Sequence, residues 1–238
     1  MTTYQLGINM DWKPPQKPAE LAETRLLEGI LSGRFPANSN LPGERELAVQ
    51  IGVTRPTLRE AMQRLARDGW LHIQHGKPTR VRDYWREGSL GILTVLAHLP
   101  AERSPDFVIH LLDLRILLAP AYARQAIHNA CSEVAHLLDG YPSLDDSPAA
   151  FARADWDLHR LLTQKADNPI FRLLLNNFEN LYLLVAERYF AFPECRASSR
   201  SFYAELLACA RACDEQAGED LTRRVMEESL ALWTKLQK

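Results

Sequence analysis

Apolar residues recur at helical spacing in two short neighbouring segments that a glycine separates. One face of the first segment carries Leu47, Ala48 and Ile51, and one face of the second carries Leu58, Ala61, Met62 and Leu65. Gly52 between them supplies the backbone freedom of a tight turn, and Thr54 before Pro56 is a typical start of a helix. The pattern predicts two short helices in a helix-turn-helix arrangement.

The spacing changes from helical to alternating directly after the second predicted helix. Alternating apolar and polar residues predict a strand over Trp70–Gln74, and Thr79–Val81 begins a return strand. The turn between them, His75-Gly76-Lys77, lets the backbone approach a phosphate or a groove floor without a bulky clash. Such a hairpin is often an ordinary solvated surface feature, but directly after a helix-turn-helix it indicates a DNA-binding wing.

Polar side chains on the outer face of the second helix have the chemistry of a recognition helix. Arg55, Thr57 and Arg59 lie near its amino-terminal end, opposite the apolar face. Guanidinium groups and hydroxyls are the donors that reach base edges and phosphates from a helix in the major groove. The sequence therefore predicts that this helix contacts double-stranded DNA.

Charge is distributed unevenly along the chain. Residues 44–82 hold eight arginine or lysine residues against four acidic ones, a net charge of +4, whereas the whole chain carries −2 and the remainder therefore −6. A basic module attached to an acidic one suits nucleic-acid binding by the first and a different task for the second.

Beyond residue 89 the alternating pattern disappears and helical patterns follow one another. Helices are predicted over Leu90–Leu99, Pro105–Asn129, Glu133–Leu138, Pro148–Ala166, Pro169–Phe192, Cys195–Ala212 and Gln216–Leu236. We expect Pro120 to kink the second of these, because proline removes a backbone donor and crowds the preceding turn. Helices of this length and apolarity predict an all-α bundle that can hold a ligand in its core.

The predicted fold class is mainly α, with two domains. A winged helix-turn-helix domain occupies residues 1–82, of which 1–18 form an irregular arm. A linker over 83–88 leads to an all-α domain for ligand binding and dimerisation over 89–238.

Composition and cysteine content indicate the cellular compartment in which we expect the protein. The chain has 46% hydrophobic and 24% charged residues, and no run approaches the roughly 20 apolar residues of a membrane helix. Residues 1–11 lack the features of a secretory signal, so we expect a cytoplasmic protein with reduced thiols and no membrane partner. Cys209 and Cys213 could share a metal, although burial as small apolar side chains is the favoured role.

Four motifs together resemble the GntR superfamily of transcription regulators, and within it the FadR type. They are Ile51-Gly-Val-Thr-Arg, Thr57-Leu-Arg-Glu, Leu65-Ala-Arg-Asp-Gly-Trp-Leu and Ile73-Gln-His-Gly-Lys-Pro-Thr. The similarity is dense over the first third of the chain and continues, more weakly, to the carboxyl terminus. It implies a bacterial regulator of fatty-acid metabolism with a helical carboxyl-terminal domain of the FCD class.

The resemblance also implies specific DNA contacts. The corresponding positions are Arg45, Thr54, Arg55, Thr57 and Arg59 on the two helices and His75, Gly76 and Lys77 at the wing tip. It further implies a homodimer on an inverted-repeat operator, acting as a repressor of fatty-acid degradation and an activator of synthesis. Release from the operator is expected on binding of a long-chain fatty acyl-CoA, with no bound cofactor.

Arg115 is the candidate anchor for such an effector. It lies within the apolar run Leu111–Leu118, and an arginine buried there needs either a salt bridge with Asp113 or another helix, or an anionic ligand group. The resemblance favours the second role and adds Tyr189, Ser229 and Trp233 as ligand-binding positions. Nearby, Val225 and Met226 replace a glycine and an aromatic residue of the family pattern, which implies a reshaped ligand site.

An alternative keeps the DNA-binding module and changes the sensor. Asp155 and His159 are four residues apart, as two metal ligands on one helix face would be. Many regulators of the FCD class use such a pair with two later histidines, whereas His159 is the last histidine of this chain, and Phe202 or Tyr203 and Glu227 stand where further ligands would fall. The alternative is thus a regulator that senses a small organic acid, with a metal at Asp155 and His159.

An acyl-CoA enzyme with an accessory helix-turn-helix is the third possibility. The sequence shows no nucleophile with a paired base, no phosphate-binding glycine-rich loop and no lysine in a cofactor context. We therefore expect a regulator and not an enzyme.

Overall fold

The structure is a computed structural model that describes residues 17–97 and 106–236. It divides the chain into two compact units, Met1–Ile92 and Leu93–Lys238. Most of the irregular arm predicted for residues 1–18 lies outside the described residues. Within the described residues, no helix is long and apolar enough to cross a membrane.

The first unit consists of short helices and one small hairpin. Its elements are α1 (Pro18–Leu31), α2 (Glu44–Ile51), α3 (Arg55–Asp68), β1 (Leu71–His72), β2 (Arg80–Val81) and α4 (Tyr84–Glu87), and α5 (Gly91–Ala97) begins at its end. The buried face of α3 packs against α1 and α2 through Leu58, Met62 and Leu65. The predicted apolar faces of α2 and α3 are thus both confirmed as core.

The turn between α2 and α3 has the predicted local structure. Gly52 ends α2 in the left-handed region with φ of +77°, and Thr54 caps α3 by accepting a hydrogen bond from the backbone N–H of Thr57 at 3.3 Å. Pro56 lies in the first turn of α3, where its missing N–H is harmless. The helix-turn-helix prediction is confirmed.

The hairpin is present with a shorter ladder than predicted. Leu71 pairs with Val81 and His72 with Arg80, and pairing ends there, before the predicted end of the first strand at Gln74. Ile73 is 43% exposed, because the chain has already left the core at this point. The unpaired residues form an exposed loop at the tip of the wing.

The segment predicted as a linker, residues 83–88, packs on the first unit. It forms α4, where the ring of Tyr84 lies 4.9 Å from that of Trp70 and Glu87 pairs with Arg80 at 2.8 Å. Gly88 approaches Gly69 at the end of α3 so closely that a Cβ on Gly69 would lie 2.9 Å from the Gly88 Cα. The boundary between the two units falls at Ile92, within α5.

The second unit is helical, as predicted. Its elements are α6 (Phe107–Asp139), a 3₁₀ turn (Tyr141–Ser143), α7 (Pro148–Lys165), α8 (Pro169–Asn176), α9 (Glu179–Phe190), α10 (Pro193–Ala212) and α11 (Glu215–Leu236). Apolar residues of α6, α7, α10 and α11 form its core. The single helix predicted over Pro169–Phe192 is wrong, because the chain breaks at Asn177 and Phe178 into α8 and α9.

The interruption of α6 is not at Pro120. The backbone leaves helical geometry at Ala130, with φ of −151° and ψ of 41°, and Pro120 is buried within regular helix. The predicted break between Asn129 and Glu133 is therefore confirmed as a kink, and Pro120 does not end the helix.

The expectation of reduced cysteines also differs from the structure. Cys131, next to the kink of α6, forms a disulfide with Cys213, which caps the end of α10. With this disulfide closed, Cys213 has no thiolate with which to share a metal with Cys209. Cys213 is also exposed, whereas the sequence favoured its burial as a small apolar side chain. The pairing escaped sequence analysis because the two residues are 82 positions apart.

The close approach of Gly69 to Gly88 predicts a strong effect of a single methyl group. Gly69→Ala should lower the stability of the first unit by about 2–4 kcal/mol, since alanine would combine left-handed strain with backbone overlap. Gly33→Ala is the matched control, because Gly33 has φ of +77° and nothing within 4 Å of an added Cβ. Hydrogen exchange of the α3 amides measures the first unit alone, and equal effects of the two substitutions would contradict the packing described here.

Candidate nucleic-acid interface and internal pocket

Two arginines at the amino-terminal end of α3 lie on the surface of the first unit. The side chains of Arg55 and Arg59 are 56% and 59% exposed. Glu44 at the start of α2 holds both, since its Oε2 accepts from Arg59 Nε at 2.6 Å and lies 3.8 Å from a terminal nitrogen of Arg55. Exposed ion pairs contribute only about 0–1 kcal/mol, so a phosphate or base acceptor can take the place of Glu44.

The other predicted DNA contacts also lie on the first unit. Arg45 is exposed on α2, and the hydroxyl of Thr54 lies 2.8 Å from that of the partly buried Thr57. The exposed tip of the wing is His75, Gly76 and Lys77. In this turn the N–H of Lys77 donates to the carbonyl of Gln74 at 3.1 Å. The first unit thus presents a recognition helix and a wing that carry donors and positive charge.

A largely apolar cavity of about 110 Å³ lies in the second unit, between α6 and the α8–α9 segment. Apolar side chains of that segment form one wall: Phe171, Leu174, Leu175, Phe178, Leu181, Val185, Ala186 and Phe190. Arg115 is the only charged residue among the described residues that line it. Tyr122, Tyr182, Tyr189 and Thr163 supply the other polar atoms.

Arg115 is held by the side chains of α7. One of its terminal nitrogens lies 3.2 Å from Oδ2 of Asp155 and 2.5 Å from Nε2 of His159. Asp113 is exposed on α6, so the salt bridge of Arg115 reaches another helix, as one of the two sequence alternatives proposed. The guanidinium also lies over the ring of Tyr182, 5.2 Å from its centroid.

Tyrosine hydroxyls complete this buried network. Tyr203 donates to Oδ1 of Asp155 at 2.9 Å, and Tyr182 donates to Oδ2 of the same carboxylate. Tyr122 lies 2.7 Å from Nδ1 of His159. Every acceptor of the Asp155 carboxylate and both ring nitrogens of His159 therefore have a partner, which is what a buried polar cluster requires.

The protonation states follow from burial and from the positive charge of Arg115. Burial alone would raise the pKa of Asp155, but the charge of Arg115 and the hydrogen bonds from Tyr182 and Tyr203 keep that pKa below its usual value. Burial, reinforced by Arg115, lowers the pKa of His159 to about 3. His159 is therefore neutral, so that Nε2 accepts from Arg115 and the proton lies on Nδ1, facing the oxygen of Tyr122.

The residues Asp155 and His159 do not fit a metal ion. The guanidinium of Arg115 already occupies the acceptors that the two side chains would offer to a cation. Tyr203, one of the positions considered for a further ligand, donates to Asp155, and Glu227 is exposed on α11. Among the described residues, no three histidine, cysteine or acidic side chains gather as a metal site would require.

Nε of Arg115 is a buried donor next to the cavity that has no hydrogen-bond partner among the described residues. The hydroxyl of Tyr189 is buried too, and Ser229 and Cys195 approach it without forming a hydrogen bond of good geometry. Burial is the main cause that raises the pKa of Tyr189, so its hydroxyl is neutral and able to donate. Leaving a buried donor unpaired costs about 1–3 kcal/mol. Nε of Arg115 therefore suits an acceptor on a bound molecule, and the Tyr189 hydroxyl lines the same cavity.

Ser229 and Trp233 lie behind Tyr189 and do not line the cavity. The ring of Trp233 lies 6.3 Å from that of Tyr189, and Ser229 is near enough to lower the pKa of Tyr189. Val225 and Met226 are buried in the core. Two of the four predicted ligand residues, Arg115 and Tyr189, thus face the cavity, and Ser229 and Trp233 lie behind Tyr189.

The two parts of the chain match two known families. Residues 18–81 match the gntR family of bacterial regulatory proteins, and residues 82–238 match the FadR C-terminal domain. The chain belongs to the FadR type of the GntR family. It is a transcription regulator, and GntR-family regulators bind operator DNA and a small-molecule effector. Proteins of this type are regulators and not enzymes, which confirms that expectation.

Curated relatives have one name in common. A fatty acid metabolism regulator protein of Pectobacterium atrosepticum is 41% identical over 222 residues, which cover 93% of either chain. The protein of the same name from Klebsiella pneumoniae is 40% identical over 223 residues, 94% of this chain and 93% of that one. The solved structure of Lar, which controls the expression of the Listeria monocytogenes agr system, shares the fold with a TM-score of 0.62 at 15% identity, over 94% of this chain and all of that one.

Glu44, Tyr122, Tyr182 and the apolar wall of the cavity were not predicted from the sequence, and Tyr203 was considered only as a metal-ligand position. The wall had a visible signal, since Phe178, Leu181, Tyr182, Val185 and Tyr189 follow one another at spacings of one, three or four residues. That spacing is typical of any buried helix face, so it could not separate a pocket from a filled core. The tyrosines come from three different helices and had no local signal.

Acid should destabilise the second unit of this FadR-type regulator through His159. Below pH 6.5 the unfolded chain binds a proton at this residue, whereas the folded chain binds one only near pH 3. The free energy of unfolding should therefore fall as the pH falls through this window, by up to about 1.4 kcal/mol per pH unit.

Urea unfolding of the full chain between pH 7 and pH 4 measures this dependence. His159→Gln, which keeps an acceptor for Arg115 and cannot titrate, should show a shallower slope. His136→Gln on the exposed face of α6 is the control and should keep the original slope. The same slope in His159→Gln as in the unchanged chain would contradict the assignment.

Proposed function

We propose that this chain regulates genes of fatty-acid metabolism from the cytoplasm, as a homodimer on an inverted-repeat operator, and that a long-chain fatty acyl-CoA releases it. The observation that carries the proposal is the apolar cavity, in which Arg115 is the single charged residue among the described lining residues. The names of the relatives point to the same metabolism.

Operator binding is assigned to α3 and the wing. Each chain carries one recognition helix, so it reads one half-site, and a two-fold dimer reads an inverted repeat. Arg55 and Arg59 leave Glu44 for acceptors on the DNA, while Lys77 at the wing tip contributes phosphate attraction. Phosphate contacts of this kind position the protein on the DNA, and base contacts read the DNA sequence.

Effector binding is assigned to the cavity beside Arg115. An acyl chain suits the apolar wall of α8 and α9, and the thioester carbonyl can accept from the unpaired Nε of Arg115 or from the hydroxyl of Tyr189. A long acyl chain fills this cavity and reaches beyond it, and we expect part of the wall to move when the ligand binds.

The wall best able to move is α8. It has no buried residue, and Ile170 and Leu173 are more than half exposed on it. A ligand that binds the displaced arrangement more tightly shifts the population toward it, and coupling to DNA binding of about 1–3 kcal/mol is typical. The metal-dependent alternative has no support in the geometry, because Arg115 occupies the position of a cation beside Asp155 and His159.

Substitutions in α3 test the DNA assignment. Arg55→Ala and Arg59→Ala should each weaken binding to the specific operator by about tenfold or more, the effect of losing one good base contact. Arg67→Ala, exposed in the last turn of the same helix, is the control and should change binding little. Fluorescence anisotropy with promoter DNA at physiological salt gives the affinities, and unchanged binding by both amino-terminal variants would exclude α3 as the recognition helix.

The effector assignment needs a separate titration. Oleoyl-CoA should release the protein from promoter DNA, while CoA, oleate and dicarboxylic acids should not. Tyr189→Phe should raise the concentration needed by about tenfold, because it removes one donor to the carbonyl.

Tyr141→Phe is the matched control for this titration. Its hydroxyl is also buried, but it donates to the carbonyl of Ala154 and does not line the cavity. Release by a dicarboxylic acid, together with stoichiometric metal in the purified protein, would instead support the alternative sensor.

A further inference from the structure

The disulfide between Cys131 and Cys213 joins two irregular points of the second unit. Cys131 follows Ala130, where α6 leaves helical geometry. Cys213 caps α10 in the left-handed region with φ of 51°, and Asp214 is the only other residue before α11 begins. The Cα atoms of the two cysteines are 5.3 Å apart, within the usual range for a disulfide.

Contacts other than this bond also join the same helices. Arg124 on α6 pairs with Glu215 and Glu219 on α11, each at 3.3 Å, and His128 contacts Glu215 as well. Apolar contacts between α6 and α11 are extensive. We therefore expect the second unit to keep its packing when the bond opens, as a reversible bond requires.

The two other cysteines are poorly suited to thiol chemistry. Cys195 is buried, and burial is the main cause that raises its pKa to about 11. Cys209 lies one turn before Cys213, and burial followed by the charge of Asp214 raises its pKa too. A thiol reacts as its thiolate, so both are slow nucleophiles. Cys213, by contrast, is exposed, and Cys131 is partly exposed.

We propose that Cys131 and Cys213 form a reversible thiol-oxidation site, at which a peroxide closes the bond and a low-molecular-weight thiol opens it. Disulfides in proteins of the reducing cell interior are usually transient or redox-sensing. A transcription regulator acts on DNA in that compartment, so a bond that joins two solvent-accessible cysteines there is of the regulatory kind.

The chemistry balances with hydrogen peroxide as the oxidant. The thiolate of Cys213 attacks one peroxide oxygen, the O–O bond breaks, and one water leaves with a sulfenic acid on Cys213. The thiolate of Cys131 then attacks that sulfur, and the second water leaves as the S–S bond forms. Two glutathione molecules reverse the step. The first thiolate attacks the protein disulfide, which gives a mixed disulfide and one free cysteine. The second attacks the mixed disulfide, which frees the other cysteine and leaves oxidised glutathione.

Closing the bond clamps the α10–α11 turn to the kink of α6. Because the cysteines are 82 residues apart, the bond strongly restricts the unfolded chain, and the oxidised form should melt about 10 °C higher than the reduced form. Amides in the first turns of α11 should also exchange more slowly in the oxidised form. Neither effect depends on DNA or on the effector, so both can be tested apart from the proposed function.

Thiol mapping of the full chain tests the proposal. The fully reduced protein is treated with hydrogen peroxide, alkylated and digested, and a crosslinked peptide containing Cys131 and Cys213 is expected by mass spectrometry. Excess reduced glutathione should then return both thiols in the folded protein. Failure to form this crosslink, or a crosslink that glutathione opens only after unfolding, would overturn the proposal.

Matched variants give the melting test its control. Cys209→Ser should keep the melting difference between the oxidised and reduced protein, and Cys131→Ser or Cys213→Ser should abolish it. The oxidised and reduced forms of the unsubstituted chain can be compared directly, so the proposal is tested even where a variant fails to fold. Equal melting temperatures of the oxidised and reduced unsubstituted chain would show that the bond does not stabilise the second unit and would overturn this part of the proposal.

Discussion

Burial of Arg115 against Asp155 is the interaction on which the second unit depends. A guanidinium inside a helical bundle is costly unless its charge and donors are matched, and α7 supplies a carboxylate and a neutral imidazole for it. Asp155 in turn needs the hydroxyls of Tyr182 and Tyr203. These requirements connect α6, α7, α9 and α10 through one network, in which the buried Nε of Arg115 has no partner among the described residues.

This network also determines which ligand chemistry the bundle can accept. An aspartate and a histidine four residues apart suggest a metal site by sequence, yet an internal cation already neutralises them. A second positive charge beside Arg115 would be repelled, whereas a neutral or anionic acceptor would be attracted. The cavity is otherwise lined mainly by apolar side chains, so a molecule with a long apolar part and a carbonyl fits its chemistry.

The first unit was predictable because its structure is encoded locally. Gly52 ends one helix, Thr54 caps the next, and the apolar spacing of α3 survives unchanged in the structure. The two helices and the hairpin that make up the predicted DNA-binding surface also follow one another directly along the chain. Only details that depend on distant contacts differed, such as the short ladder of the wing and the packing of Tyr84 on Trp70.

The second unit was predictable as a helical bundle but not as a site. Arg115 is 40 residues from Asp155, and Tyr203 is a further 48 residues on, so no short motif brings them together. The kink at Ala130 and the bond between Cys131 and Cys213 likewise arise from tertiary packing.

The acyl chain of the proposed effector is assigned to the cavity beside Arg115. Photo-crosslinking tests this assignment most directly, with the full chain and a long-chain acyl-CoA that carries a photoreactive group at the end of its chain. Peptide mapping should place the label on the α8–α9 segment, and unlabelled oleoyl-CoA should compete with it. A label confined to the first unit, or one spread over exposed surface leucines and insensitive to competition, would contradict it.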